Sequence, residues 1–258
     1  RQKLFNAFAL IFFTSASTCS LAQVAESSSV VNVSSEQTCK KDSGSLFANY
    51  EISTTSPSKT SRTTSLHLWR NGNKVAHEYP ATNITESWTL VRNKFIKPTR
   101  FFDAHQRAIE YQPGETIHGK KESDFSYRYQ LISDKLIDVM TLDTVGGKGC
   151  NTVEYYSLDN SQGHFKLAWL PHLKLIESFS VDKSGYVREW KLKTVDFNKN
   201  TKDFFTKRQN YQSTDYADIG DDHTDPFLTK MVTQGFIEAG ASGYYDEHGH
   251  SIGEGHSH

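Results

Sequence analysis

Apolar and polar residues alternate with a period of two through long stretches of this chain, which constrains it to β-structure. Leu46, Ala48, Tyr50 and Ile52 fall on one side of an extended segment and polar residues fall mostly on the other. The run 66–79 holds Asn71-Gly72 between two alternating halves, a strong hairpin signal because both central residues of such a turn adopt positive φ. Further strands are expected at 84–92, 95–102 and 107–112, and a long antiparallel meander at 165–193.

The expected hairpin also argues against a metal site at its two histidines. With Asn71 and Gly72 as the turn residues, His67 pairs with Ala76 and His77 pairs with Leu66. Those pairs are adjacent rungs, so the two imidazoles should point to opposite faces of the sheet.

The period changes to that of a helix in one internal segment. Phe125, Tyr129, Ile132, Leu136 and Met140 recur at spacings of three and four, which predicts an amphipathic helix over 124–140 capped by Ser123. A second helix is expected to begin at Asp225-Pro226. The fold is therefore predicted to be mainly β, a curved antiparallel sheet or half-barrel with one or two covering helices.

This layout resembles that of the periplasmic carriers of lipoproteins and lipids, which are curved antiparallel sheets closed by helices. The resemblance concerns architecture and maps no site residue onto this chain. It implies an apolar ligand held on the sheet.

The N-terminal residues indicate export. Arg1 and Lys3 precede an apolar run over 4–13, and Ser20-Leu21-Ala22 places small residues where a signal peptidase cleaves. Cleavage after Ala22 is predicted, with a buried N-terminal helix or a lipid-anchored Cys19 as alternatives. The protein is expected in the periplasm or secreted, without an integral membrane segment, because no later run is long and apolar enough to span a bilayer.

Two cysteines remain after such cleavage. An even pair in an oxidising compartment predicts one disulfide bond, between Cys39 and Cys150, closing a loop of about 110 residues. Two free thiols are the alternative.

Composition divides the chain into four parts. After the signal peptide (1–22) come a flexible mature N-terminus (23–45), one β-rich domain (46–240) and a disordered tail rich in His and acids (241–258). Residues 215–258 hold nine acids and a single base, while the whole chain is only −1 at pH 7. A mildly basic body with an acidic tail and no long Lys/Arg run argues against nucleic acid as a partner.

The tail contains the most specific pattern for metal binding. It has two His-x-His pairs with acids beside them: His248, His250, His256, His258, Asp246 and Glu247. Imidazole and carboxylate groups suit Zn²⁺, Cu²⁺ or Ni²⁺, and glycines allow the chain to fold around an ion. A merely solubilising tail is the alternative, and nothing else in the sequence indicates a cofactor.

Aromatic residues make up 12% of the chain and suggest a ligand pocket. The candidates are four tryptophans on expected strands and two aromatics of the expected helix: Trp69, Trp88, Phe125, Tyr129, Trp169 and Trp190. Core packing alone would also explain them.

Three functions follow, in order of preference. The first is an exported, non-enzymatic binding protein for an apolar small molecule or lipid, with the 124–140 helix as a lid. The second is a periplasmic accessory protein that captures a divalent metal with its tail. The third is a hydrolase of unidentified mechanism, acting through carboxylates that the sequence does not identify, and the familiar catalytic motifs are missing. Separately, the polar cluster of Asp103, His105, Arg107 and Glu110 could form an acid–base dyad, with a solvated turn as the alternative.

Overall fold

Twelve strands form one curved, unclosed sheet in the computed structural model, which describes residues 39–117, 120–219, 224–233, 244–245 and 251–252. The expected signal peptide, residues 23–38 of the expected flexible N-terminus and most of the tail lie outside the described residues. The strands of the large sheet are β1 (Ser45–Ser56), β2 (Lys59–Asn71), β3 (Lys74–Tyr79), β4 (Ile84–Val91), β5 (Phe95–Phe102), β6 (Arg107–Glu110), β9 (Thr141–Gly146), β10 (Val153–Asn160), β11 (Gly163–Leu170), β12 (Leu175–Lys183), β13 (Tyr186–Asp196) and β14 (Gln212–Asp215). Two small hairpins add β7 (Thr116–Ile117) with β8 (Lys120–Lys121) and β15 (Tyr244–Tyr245) with β16 (Ser251–Ile252).

The large sheet consists of two antiparallel meanders joined at a central seam. Its strand order is β14-β6-β5-β4-β3-β2-β1-β13-β12-β11-β10-β9, so β1 pairs with β13 although the two are far apart in sequence. The short strand β14 adds in parallel to β6 at one edge, and β9 forms the other edge. The predicted mainly β, antiparallel architecture is confirmed.

Within the described ranges, four α-helices accompany the sheet: α1 (Phe125–Gln130), α2 (Asp134–Val139), α3 (Thr201–Gln209) and α4 (Pro226–Thr233). The face that carries α1 and α2, here called the inner face, includes Leu46, Ala48 and Tyr50 of β1, all fully buried. The opposite, outer face carries α3, whose Phe204 stacks on Trp69 of β2 with 4.1 Å between ring centroids. Most of the apolar core lies on the inner face.

The β2–β3 hairpin turns one residue later than its Asn-Gly dipeptide predicted, which shifts each cross-strand partner by two residues. Asn71 pairs with Lys74, so Gly72 and Asn73 are the central residues, and Gly72 takes the positive φ of 61°. Glycine at the first central position is typical of a type II′ turn, whose twist also suits a hairpin. His67 therefore pairs with Glu78, and Leu68 pairs with His77. Because each partner shifts by two residues, the same side chains still share a face of the sheet. The prediction that His67 and His77 lie on opposite faces is therefore confirmed.

The single helix predicted over 124–140 is wrong, because the segment forms two helices. Leu131 adopts a left-handed conformation (φ 69°) after α1, and Ser133 caps α2 through its hydroxyl, which accepts from the Leu136 amide. Asp124, rather than Ser123, caps α1 by accepting from the Tyr127 amide. Apolar residues recur at spacings of three and four on both sides of Leu131 because both helices pack apolar side chains against the same face of the sheet.

Asp225 begins α4 as predicted, its carboxylate accepting from the amides of Phe227 and Leu228. Helix α3 escaped prediction, because its sequence TKDFFTKRQ has only two apolar residues and no apolar stripe. The available signal was Asn200, whose side chain accepts from the Asp203 amide and starts the helix.

Candidate functional site

A cavity of about 340 Å³ lies on the inner face, at the end of the sheet where β11 meets β12 and β13 ends. Six apolar side chains line it: Val153, Leu170, Leu173, Leu192, Val195 and Phe197. Lys41, Asn151 and Glu177 supply the polar part of the wall. Ligand sites usually measure about 300–1,000 Å³ and combine apolar walls with a few polar groups, so this cavity has the size and chemistry of a small site.

Leu192, Val195 and Phe197 are only partly buried, although each packs against the main core. They lie together because β1 and β13 slip register between Asn49 and Tyr50, which pairs Tyr50 with Leu192 and Ala48 with Val195. In a regular strand, residues three apart point to opposite faces, so alternation would have put Val195 on the outer face. The sequence therefore gave no direct sign of this wall.

The predicted disulfide bond between Cys39 and Cys150 is present, with 4.5 Å between the two Cα atoms. Cys150 lines the cavity, and Cys39 packs against the core. The bond thus ties the segment before β1 to the connection between β9 and β10. On the Cys39 side, the Lys41 ammonium stands 5.0 Å from the centroid of the Phe197 ring, so a cation lies beside the apolar wall.

Arg70 connects the cavity wall to α1. Its fully buried guanidinium donates to the carbonyl oxygens of Tyr129 (2.8 Å), Leu173 (2.8 Å), Ser43 (3.2 Å) and Lys174. Burial lowers the pKa of Arg70 to about 10, which still leaves it charged at neutral pH. The cation is held by backbone dipoles from α1, from the chain before β1 and from the β11–β12 turn, so it fixes all three together.

Helix α1 is fixed a second time by His77. The Nε2 atom of His77 lies 2.7 Å from the Arg128 carbonyl oxygen and donates to it, since a carbonyl can only accept. Burial, followed by the nearby charge of Arg128, lowers the pKa of His77 to about 3, so the imidazole is neutral. Arg128 itself forms an ion pair with Glu122 and stands 4.4 Å from the centroid of the Trp88 ring. These contacts close the inner face over β3 and β4 and leave the cavity at the other end.

The six aromatic residues proposed for a pocket do not converge. Trp69 lies on the outer face, against Phe204. Trp88 of β4 lies against Arg128 of α1. Tyr129 and Phe125 belong to α1 itself, with 5.6 Å between their ring centroids, and the Tyr129 ring faces Arg70. Trp169 and Trp190 belong to the core. None of the six lines the 340 Å³ cavity, and a role for the inner-face members in ligand binding stays a prediction.

A polar cluster on the outer face holds α3 in place. Glu78 accepts from His67 Nδ1 (3.0 Å), Trp69 Nε1 (2.9 Å) and Arg208 (3.2 Å). Desolvation alone would raise the pKa of Glu78, but the hydrogen bonds from His67 and Trp69 outweigh it and hold the pKa below its ordinary value. Arg208 also donates to Asp103, which accepts from the Tyr211 hydroxyl at 3.0 Å as well. Both carboxylates are engaged by structural donors, which favours anchoring over catalysis.

The two carboxylates of the polar cluster at 103–110, Asp103 and Glu110, have different partners and form no acid–base pair with each other. Asp103 turns toward α3, whereas Glu110 forms an ion pair with Lys97 at 2.5 Å. Arg107 forms an ion pair with Asp225 at the start of α4. The hydrolase hypothesis therefore stays a prediction without an assigned acid–base pair.

The metal prediction concerns residues outside the described part of the chain: His248, His250, His256, His258, Asp246 and Glu247. Within the described part, no group of three or more His, Cys, Asp or Glu side chains is placed to hold a metal ion. Among the same residues, no helix combines the length and apolarity that crossing a membrane requires.

No protein-family model matches the chain, and no curated protein does. Among solved structures, PNGF-II is similar over 78% of this chain and 36% of its own length, with 10% identity and a TM-score of 0.40. The chain thus spans about a third of PNGF-II. A putative outer membrane lipoprotein-sorting protein domain from Vibrio parahaemolyticus is similar over 64% of this chain and 92% of its own, with 9% identity and a TM-score of 0.30. A LolA superfamily protein from Nitrosomonas europaea shares 13% identity at a TM-score of 0.27, covering 66% of this chain and 92% of its own. All three TM-scores are below 0.5, too low for these similarities to carry an inference about function.

Proposed function

We propose that the protein is an exported binding protein that holds an apolar or lipid-like molecule in the cavity beside the Cys39–Cys150 bond. The observation that carries this proposal is the cavity of about 340 Å³ with its six apolar lining residues. A cavity of this size accepts one compact molecule or part of an alkyl chain. Each methylene buried there contributes about 0.8 kcal/mol.

The partial exposure of Leu192, Val195 and Phe197 supports the proposal. Apolar side chains of a folded core normally touch one another, and a ligand would complete the contacts that these three lack. Lys41, Asn151 and Glu177 give the ligand's polar end hydrogen-bonding partners at the same site. An amphiphile fits such a wall better than a wholly apolar molecule does.

Export is supported by the disulfide bond, which persists in oxidising compartments. It agrees with the signal peptide predicted at residues 1–22. We therefore place the proposed binding activity in the periplasm or outside the cell.

The proposal is tested by filling the cavity. Val195→Trp adds an indole to the cavity wall, and we expect it to weaken binding of the fluorescent apolar probe N-phenyl-1-naphthylamine by more than about tenfold. Binding is measured by titrating the probe into the purified whole chain. Native mass spectrometry of both proteins, purified from a host that exports them, shows whether a lipid bound to the unchanged protein is missing from the variant.

Val187→Trp is the matched control, since Val187 is a partly buried valine of the same strand on the outer face, paired with Thr55. It should bind the probe as the unchanged protein does. Equal probe affinity in the Val195→Trp and Val187→Trp variants, with both folded by circular dichroism, would overturn the proposal.

A further inference from the structure

The two edge strands of the large sheet, β14 and β9, differ in length, polarity and exposure. At one edge β14 has four residues, all polar, and Asp215 at its end accepts from the Gln112 side chain. At the other edge β9 has six residues, none of them Lys or Pro, and Thr141–Val145 are all exposed. Proteins usually protect an open edge with a short strand, a charge or a proline. Strand β9 carries one charge, Asp143, which accepts from the Ser157 hydroxyl at 3.0 Å.

Exposed apolar side chains gather at this second edge, on and beside β9. In the described residues, six large apolar side chains are more than a third exposed, and four of them fall within residues 139–155. They are Val139 (60%), Leu142 (49%), Val145 (54%) and Tyr155 (41%). Scattered apolar residues need no explanation, but a cluster beside a strand edge that no other strand of the described residues pairs indicates a binding edge.

A bulge gives the edge a self-complementary pattern. Leu142 pairs with Tyr156 and Val145 pairs with Glu154, with a register slip between Tyr155 and Tyr156. Leu142 and Val145 therefore share a face although they are three residues apart. Consider two copies of β9 that run antiparallel and are related by a two-fold axis between Asp143 and Thr144. Leu142 of each copy then lies beside Val145 of the partner subunit, so the same apolar pair forms twice.

Charge is complementary in the same arrangement. The axis sets Asp143 against Thr144 of the partner subunit, so the acids of the two copies do not face each other. Asp138 and Lys148 flank β9 at its opposite ends, and the axis brings the acid of one copy to the base of the other. Direct opposition of like charges, which destabilises strand pairs, is avoided.

We propose that β9 pairs in antiparallel fashion with β9 of a second copy, so that the two sheets continue as one across the dimer. The new backbone hydrogen bonds satisfy the edge, and the four exposed apolar residues of each copy border the interface. One strand pair buries less area than a stable interface of about 1,200–2,000 Å². The dimer is accordingly reversible and concentration-dependent.

Sedimentation velocity of the whole purified chain over a concentration series tests the proposal. The unchanged protein should dimerise, and Leu142→Lys with Val145→Lys should raise the dimer dissociation constant more than about tenfold. Both side chains are exposed, so these changes leave the core untouched. Tyr186→Lys alters a similarly exposed residue (59%) at the start of β13, away from β9, and should leave the dissociation constant unchanged.

A second variant tests the register. Thr144→Cys places a thiol beside the two-fold axis, and we expect mild oxidation to cross-link it into a covalent dimer. Tyr186→Cys should remain largely monomeric under the same treatment. A monomer at every concentration would overturn the proposal. So would a dimer that the double lysine variant leaves intact or that Thr144→Cys does not cross-link.

Discussion

Among the ionisable residues buried on the inner face, Arg70, Arg128 and His77 are each stabilised in a different way. Arg70 is surrounded by carbonyl oxygens, Arg128 forms an ion pair with Glu122, and His77 stays neutral while donating to the Arg128 carbonyl. A buried charge needs such partners, since its desolvation otherwise outweighs other contributions. Position along the strand decides the outcome: His67, on the outer face, is half-buried and contacts Glu78 instead.

The neutral His77 should make folding stability depend on pH. Its pKa is about 3 in the folded protein and near 6.5 unfolded. Between those values only the unfolded chain binds the proton, so stability falls as pH falls from about 6.5 toward 3. At pH 4 the loss from this one group is on the order of 3 kcal/mol.

His77→Gln checks this dependence. Glutamine can still donate to the Arg128 carbonyl but does not titrate, so the variant should lose about 3 kcal/mol less stability between pH 7 and pH 4 than the unchanged protein. Urea unfolding at the two pH values gives both differences. Identical pH dependence in the two proteins would show that His77 is not the responsible group.

At the scale of elements, alternation predicted most strands of the first meander well. The strands expected at 84–92 and 95–102 are found at Ile84–Val91 and Phe95–Phe102. Periodicity failed at two local irregularities. At the β1–β13 register slip an extra residue moves the following side chains to the other face of the sheet, and at Leu131 a left-handed residue ends a helix. The candidate cavity depends on the first of these, because Val195 reaches it only through the slip. Such local irregularities depend on pairing partners distant in sequence, which a single-strand pattern does not contain.

Helix α3 illustrates an element held by charge more than by an apolar stripe. Arg208, 8% exposed, joins it to Glu78 of β3 and to Asp103. Arg208→Met keeps an apolar stem that can lie on Phe204 but removes the guanidinium, and we expect it to lower the free energy of unfolding by about 2–3 kcal/mol. Lys207→Met changes an exposed residue of the same helix and should alter it by less than about 0.5 kcal/mol. Chemical denaturation of both variants measures the difference, and similar small losses would mean that α3 is held by its phenylalanines alone.

At the scale of the whole molecule, the central seam is the contact that joins two separately continuous meanders. Its β1–β13 pairs, such as Tyr50 with Leu192, close most of the chain into one sheet. Contacts so distant in sequence carry a large loop-closure cost, which a covalent tie nearby reduces. The Cys39–Cys150 bond is such a tie, with a sequence separation of 111, and it lies immediately before β1. The same bond contributes to the cavity wall, so stability and ligand binding are joined at one place.

Removal of that tie should affect both properties. Changing Cys39→Ala and Cys150→Ala together releases a loop of about 110 residues in the unfolded chain, which the chain-entropy model values at about 4–5 kcal/mol. Urea unfolding should show a loss approaching this size. Binding of N-phenyl-1-naphthylamine should weaken as well, because the segment that holds Lys41 is no longer tied to the cavity wall. Reductant provides the control: it should bring the unchanged protein to the stability of the variant and leave the variant as it was. If the variant unfolds at the same urea concentration as the oxidised protein, the seam forms without the tie. Weakened probe binding at unchanged stability would limit the bond's role to the cavity.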